Sequence, residues 1–220
     1  MGQAKLKRKR VHISKGWVSA VIVVICVAGI LIFDALQRYN QGANKNSDAR
    51  TQGSPNARVH IIEFLDFQCP ECAKLFAFIH QLIEAHAADI YFEVKYFPLS
   101  HSHSLESAVY AECSAEQNKF WEFTGLLMGR QAQWRTLADP IPTYRQMAQE
   151  AGLDLSLLET CVQGDEARAF VDADKAYGES KFIQATPTCF INEKMFVGYE
   201  SVKKELERQF NPGSSSAAQQ

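Results

Sequence analysis

The sequence predicts an α/β fold that encloses a long all-helical insertion and is preceded by one N-terminal transmembrane helix. Three observations carry this. An apolar run containing Val59, Ile61, Ile62, Phe64 and Leu65 leads through Phe67-Gln68-Cys69-Pro70-Glu71-Cys72 into a helical pattern and then a second, alternating strand. Residues 104–183 then repeat almost wholly at helical spacing, and a short hairpin with a closing helix completes the chain.

Residues 1–16 form a basic tail: Lys5, Lys7, Arg8, Lys9, Arg10 and Lys15 fall before residue 33 with no acid among them. Subtracting these six from the 23 Lys and Arg leaves 17 bases against 25 acids, so the remainder has a formal charge of −8. An acidic body argues against nucleic acid as a partner. Trp17 to Phe33 is free of charge and near the lower length limit for a bilayer-spanning helix, so residues 17–36 read as an anchor in the lipid bilayer. The competing reading, a cleaved signal peptide, wants a shorter apolar core and a small-x-small site, and none that convinces appears before about Ala43. Positive charges ahead of the span hold the N-terminus in the cytoplasm. A single-pass protein is therefore expected, its body periplasmic or otherwise extracytoplasmic, in a compartment where disulfides persist. Residues 37–57, rich in Gly, Asn, Ser and Gln from Asn40 onward, read as a flexible linker, 58–211 as the folded body, and 212–220 as a disordered tail.

Within the body, Arg58 to Asp66 is the first strand, apolar enough to be central in a sheet. Glu63 is its odd member, either exposed on one face or buried for a reason. Pro70 suits the first position of a helix, which puts Cys69 at the N-cap. Unpaired N–H groups and the helix dipole there favour a thiolate, whereas Cys72, one turn in, is expected to stay protonated until it is needed. A low-pKa thiol is also a good leaving group, so the pair has an entry sulfur and a resolving sulfur. A zinc reading of the Cys-x-x-Cys needs a second close pair or histidines at finger spacing, and Cys113, Cys161 and Cys189 stand singly. Redox chemistry without metal is the reading. His101 and His103 lack a nearby third ligand and read as a polar loop and helix start.

Leu75, Phe76, Ile79, Leu82 and Ile83 carry the helix to about His86, and Ile90 to Phe97 alternates as the second strand of a right-handed parallel unit. The helical block that follows is too long for a simple crossover. Cys113 and Cys161 fall on different helices within it, and in an oxidising compartment they are expected to cross-link it; two reduced core cysteines are the alternative. Gln184 to Asn192 is a strand entered through Pro187, which is either a trans edge residue or a cis-proline that frees backbone groups for an extended peptide. Asn192-Glu193-Lys194 turns into the partner strand Met195 to Val197, and Val202 to Phe210 is the closing helix.

Four stretches together resemble one known family: Glu63 to Cys72, Ala111 to Glu122, Glu159-Thr160-Cys161, and Ala185 to Asn192. The chain looks like a DsbA-like thiol-disulfide oxidoreductase, a thioredoxin-like fold with an inserted all-helical subdomain, over essentially Arg58 to Phe210. The resemblance implies that Cys69 attacks, that Cys72 resolves, and that Pro187 is a cis-proline facing them with Thr186 before it. It also implies that Glu63 is a buried acid relaying a proton to the resolving thiol, and that Cys113 and Cys161 form a second disulfide. Two features depart from the pattern. Glu71 is expected to raise the Cys69 pKa and make the pair less oxidising, and Cys189 is either a small core residue or a third redox thiol.

The function expected is disulfide exchange with cysteine-containing protein substrates, as an oxidase. No cofactor is needed, and a membrane redox partner recycles the pair. A reductase or isomerase of the same fold, and a non-catalytic peptide-binding module, are the rivals.

Overall fold

The structure, a computed structural model, describes residues 23–33 and 49–210. The chain divides into two units between Asn44 and Lys45. In the first, residues 23–33 are helical (α1). Among the described residues no helix is long and apolar enough to cross a membrane. The expected tail 1–16, most of the expected linker and the tail 212–220 lie outside the described residues, as does part of the expected anchor 17–36.

The second unit is a five-stranded sheet with helices packed on it, in the strand order β1-β3-β2-β4-β5. Its elements are β1 (Thr51–Gly53), β2 (Val59–Leu65), α2 (Pro70–His86), β3 (Ile90–Tyr96), α3 (Ser104–Glu116), α4 (Phe120–Gly129), α5 (Gln131–Trp134), α6 (Ile141–Glu150), α7 (Leu155–Gln163), α8 (Glu166–Ser180), β4 (Thr188–Ile191), β5 (Lys194–Val197) and α9 (Tyr199–Phe210). β2 and β3 run parallel, joined through α2, and β4 lies antiparallel to β2 on its other side. The helical insertion therefore enters after β3 and returns the chain next to β2.

β2 sits at the centre because it is apolar on both faces. Val59, Ile61 and Leu65 meet Leu75 and Ile79 of α2 in the main core, while Phe64 turns the other way to Phe97 and Ile183. Full burial of such side chains contributes about 2 kcal/mol each. The β4–β5 turn is made by Asn192 and Glu193, both at positive φ (45° and 69°), followed by Gly198 at 82°. Asn192 holds its turn by accepting the His60 N–H through Oδ1 and donating from Nδ2 to the Arg58 carbonyl, which ties the hairpin to the start of β2.

The linker expected to run to residue 57 ends earlier. Thr51–Gly53 pairs antiparallel with β3 as an edge strand, and Arg50 just before it is fully buried. Its guanidinium donates to Asp174 of α8 at 2.5 Å, lies 3.6 Å from Glu112 of α3, and stacks over Tyr96 and Phe170. A three-residue polar strand has no alternation to read, and the partners of Arg50 are far away in sequence. Two carboxylates offset the cost of burying this cation.

Candidate active site

Cys69 caps α2 with extended backbone (φ −78°, ψ 121°), and Pro70 occupies the start of the helix. The residues just before it are fixed by polar contacts. The Asp66 carboxylate accepts the backbone N–H groups of Gln68 (2.8 Å) and Leu99 (2.9 Å) and the Ser104 hydroxyl (2.7 Å). The Gln68 side chain donates to the Arg135 carbonyl at 2.7 Å and accepts the His103 N–H at 2.7 Å. From the insertion, Gln131 donates to the carbonyls of Phe67 and Cys69 at 2.8 and 2.9 Å. A strand end has thereby become a rigid mount for a sulfur.

Cys69 and Cys72 are both free thiols, so the site is in its dithiol form. They differ sharply. Cys69 falls from the ordinary 9.0 to about 6: the hydrogen bond from the Cys72 thiol is the largest cause, burial opposes it, and the N–H groups of Cys72 and Glu71 and the Thr186 side chain add to the lowering. Cys72 is fully buried, and that burial pushes it well above 9.0, reinforced by its bond to Cys69 and the charge of Glu63. The Glu71 carboxylate is taken up by Lys74 at 2.6 Å, and what reaches Cys69 is the Glu71 backbone N–H.

Glu63 is fully buried, and neither of its carboxylate oxygens has a hydrogen-bond partner among the described residues. In the sheet it stands beside Val94 on one side and Cys189 on the other. Burial in this apolar setting, with the Cys69 charge second, raises it to about 8. Cys189 is also fully buried and pushed well above 9.0, by burial first and by Glu63 second.

The Thr186–Pro187 peptide is cis, and the Cys69 thiol donates to the Thr186 carbonyl at 3.4 Å. The loop before β4 thus faces the first sulfur. Cys113 of α3 and Cys161 of α7 are bonded, with S–S 2.01 Å, and stand outside this cluster. His103 caps α3, and its Nε2 bonds the Leu137 carbonyl at 2.8 Å. Among the described residues no group of three or more His, Cys, Asp or Glu could hold a metal ion. Sequence reasoning missed Asp66, Gln68 and Gln131. Asp66 and Gln68 carried a signal, as polar residues flanking a cap; Gln131 carried none, because the short helix it opens lies 62 residues from Cys69.

Comparison with known proteins places this geometry in a family. The Thioredoxin_4 family model, described as Thioredoxin, matches residues 45–208. Oxidised BdbD from Bacillus subtilis superposes with a TM-score of 0.63 at 21% identity, over 72% of this chain and 91% of that one. α-DsbA1 of Wolbachia pipientis gives 0.62 at 21% identity, over 72% and 87%; at such identities the likeness shows the fold. Among curated proteins, the Na(+)/H(+) antiporter NhaA 1 of Mycolicibacterium gilvum is 28% identical over 153 residues, 67% of this chain but 24% of that protein. The chain spans about a quarter of the length of the curated relatives it matches. With the family match covering well over half of the 220 residues, the chain belongs to the thioredoxin family, with the fold of its DsbA-like thiol-disulfide oxidoreductases.

Proposed function

We propose that the protein is an extracytoplasmic, membrane-anchored thiol-disulfide oxidoreductase that donates its Cys69–Cys72 disulfide to cysteine-containing proteins. The single observation that carries this is a thiol held down at about 6, at a helix N-cap, 3.4 Å from the carbonyl of Thr186 beside cis-Pro187. A sulfur that is a stable thiolate at neutral pH is a good leaving group and a good point of entry.

Starting from the oxidised pair, a substrate thiolate attacks Cys69 Sγ, forming a mixed disulfide and breaking the Cys69–Cys72 bond. Cys72 leaves with the electron pair and takes a proton. Glu63, raised to about 8 and so protonated at neutral pH, is positioned to supply it. A second substrate thiolate then attacks the substrate sulfur and releases Cys69 as a thiolate. The substrate has lost two electrons and the pair has gained them. A redox partner in the membrane must take these two electrons to reset the site. Thr186 and Pro187 offer the backbone edge against which an extended peptide lies.

The oxidase direction is favoured over the reductase because the charge of Glu71 is taken up by Lys74 and the Cys69 thiolate is stabilised by N–H groups. Anchoring through residues 17–36 rests on the uncharged run after a basic tail. The test is a trap. In the full chain, Cys72→Ala is expected to accumulate mixed disulfides between Cys69 and client proteins, lost on adding Cys69→Ser; a variant that folds and traps nothing removes the enzyme reading.

A further inference from the structure

Resting on that reading, we propose that Gln131, a side chain of the helical insertion, is a positioning residue of the exchange reaction. It holds the Cys69 carbonyl, and through it the direction of Cys69 Sγ over the start of α2.

The geometry behind this is a clamp from two sides. The Cys69 carbonyl accepts the Ala73 N–H at 3.2 Å, the first backbone bond of α2, and the Gln131 amide at 2.9 Å. The same Gln131 nitrogen donates to the Phe67 carbonyl at 2.8 Å, so one amide spans the residues on both sides of Gln68. Gln131 is buried, at 5% exposure, and cannot swing aside into solvent. Its own helix is pinned as well: Trp134, one turn on, is fully buried, donates Nε1–H to the Leu127 carbonyl at 2.8 Å and packs edge-on against Tyr144. The insertion is thus wired to the backbone of Cys69 and not merely packed beside it.

The chemical consequence follows from the torsion that the carbonyl defines. Fixing the Cys69 carbonyl fixes ψ at 121°, and that angle aims the side chain at the N–H groups of Glu71 and Cys72. Without the amide, only the Ala73 N–H at 3.2 Å restrains the peptide plane, and a rotation of a few tens of degrees weakens such bonds. Gln131 does not touch the reacting sulfurs; it acts through the Cys69 backbone.

The experiment uses the reduced full chain, with the Cys69 thiolate titrated by its ultraviolet absorbance and the pair equilibrated against glutathione. Gln131→Met keeps the length and removes both donors. It is expected to lower the Cys69 acid constant about threefold to tenfold, the worth of one ordinary hydrogen bond, and to move the glutathione equilibrium in the less oxidising direction. Gln133→Met, an exposed neighbour, is expected to change neither. A folded Gln131→Met protein with a wild-type Cys69 titration overturns the inference, whatever its thermal stability. If that variant does not fold, the wild type decides: the nitrogen-resolved NMR signals of the Gln131 side-chain amide are expected to shift with the midpoint of Cys69, and signals that do not respond overturn the proposal. A wild-type Cys69 that titrates like an ordinary thiol overturns the enzyme reading itself, and this inference with it.

Discussion

Cys69 and Cys72 are three positions apart and unbonded, whereas Cys113 and Cys161 are 48 apart and joined. The first pair spans a helix N-cap and the first turn behind it, so the two sulfurs sit in unlike electrostatic surroundings. One is held near 6 by hydrogen bonds and the other pushed well above 9.0 by burial. The second pair joins the last turn of α3 to the last turn of α7 and ties the insertion together. Placement, not the element, sets a low-pKa thiol in the first pair and a closed crosslink in the second. A cap gives a thiolate a cause, and a long loop gives a crosslink something to constrain.

The largest expected effect tests whether the second pair is only structural. Closing a loop of 48 residues removes chain entropy worth about 4 kcal/mol in the unfolded state. Cys113→Ala with Cys161→Ala should therefore lower unfolding stability by about that amount in urea melts, yet, added to Cys72→Ala, leave the trapping of clients through Cys69 within a fewfold of Cys72→Ala alone at a temperature where both fold. A crosslink-free protein that is stable but no longer traps would mean that the second pair is more than structural.

The next effect separates the ionisable partners of the first pair through pH. Glu63 is raised from 4.5 to about 8, so its contribution to stability is whole below 4.5 and is lost as pH rises toward 8. Cys69 is lowered from 9.0 to about 6, so its contribution is present above 9 and is lost as pH falls through 6. Between pH 6 and 8 the two slopes oppose, and the reduced wild type should be nearly flat. Glu63→Gln should then gain on the order of 2 kcal/mol across that window, and Cys69→Ala should lose a similar amount, since burial and not the Cys69 charge is the main cause of the Glu63 shift. Parallel curves for the two variants in chemical denaturation at pH 6, 7 and 8 would contradict both assignments.

How much of this was legible varies with how local the cause is. The strand–helix–strand frame could be read because β3 alternates cleanly and α2 repeats its apolar residues one turn apart. The cap could be read because Pro70 sits where a helix begins. β1 could not, since its three residues are polar and its pairing depends on β3, 40 residues on. The burial of Arg50 hangs on Asp174 and Glu112 in the insertion. The Glu71 expectation treated a charge as if it stood alone, whereas Lys74, one turn along, pairs with it at 2.6 Å. Glu63 was visible as an odd residue in an apolar strand, but its lack of a hydrogen-bond partner among the described residues is a property of three strands together.

The smallest effect concerns Cys189, which belongs to neither pair. It lies beside Glu63 across β2 and β4, fully buried and pushed well above 9.0. A thiol with no exposure and almost no thiolate at neutral pH has neither the access nor the nucleophilicity for exchange. Peptide mapping after brief alkylation of the native, reduced protein should therefore find Cys69 modified and Cys189 intact until denaturant is added. Cys189→Ala should cost about 1 kcal/mol for the small void it leaves, with the glutathione equilibrium of the Cys69–Cys72 pair unchanged. A shifted equilibrium would show that Cys189 acts on the pair through Glu63, and would make a third sulfur part of the machinery instead of part of the core.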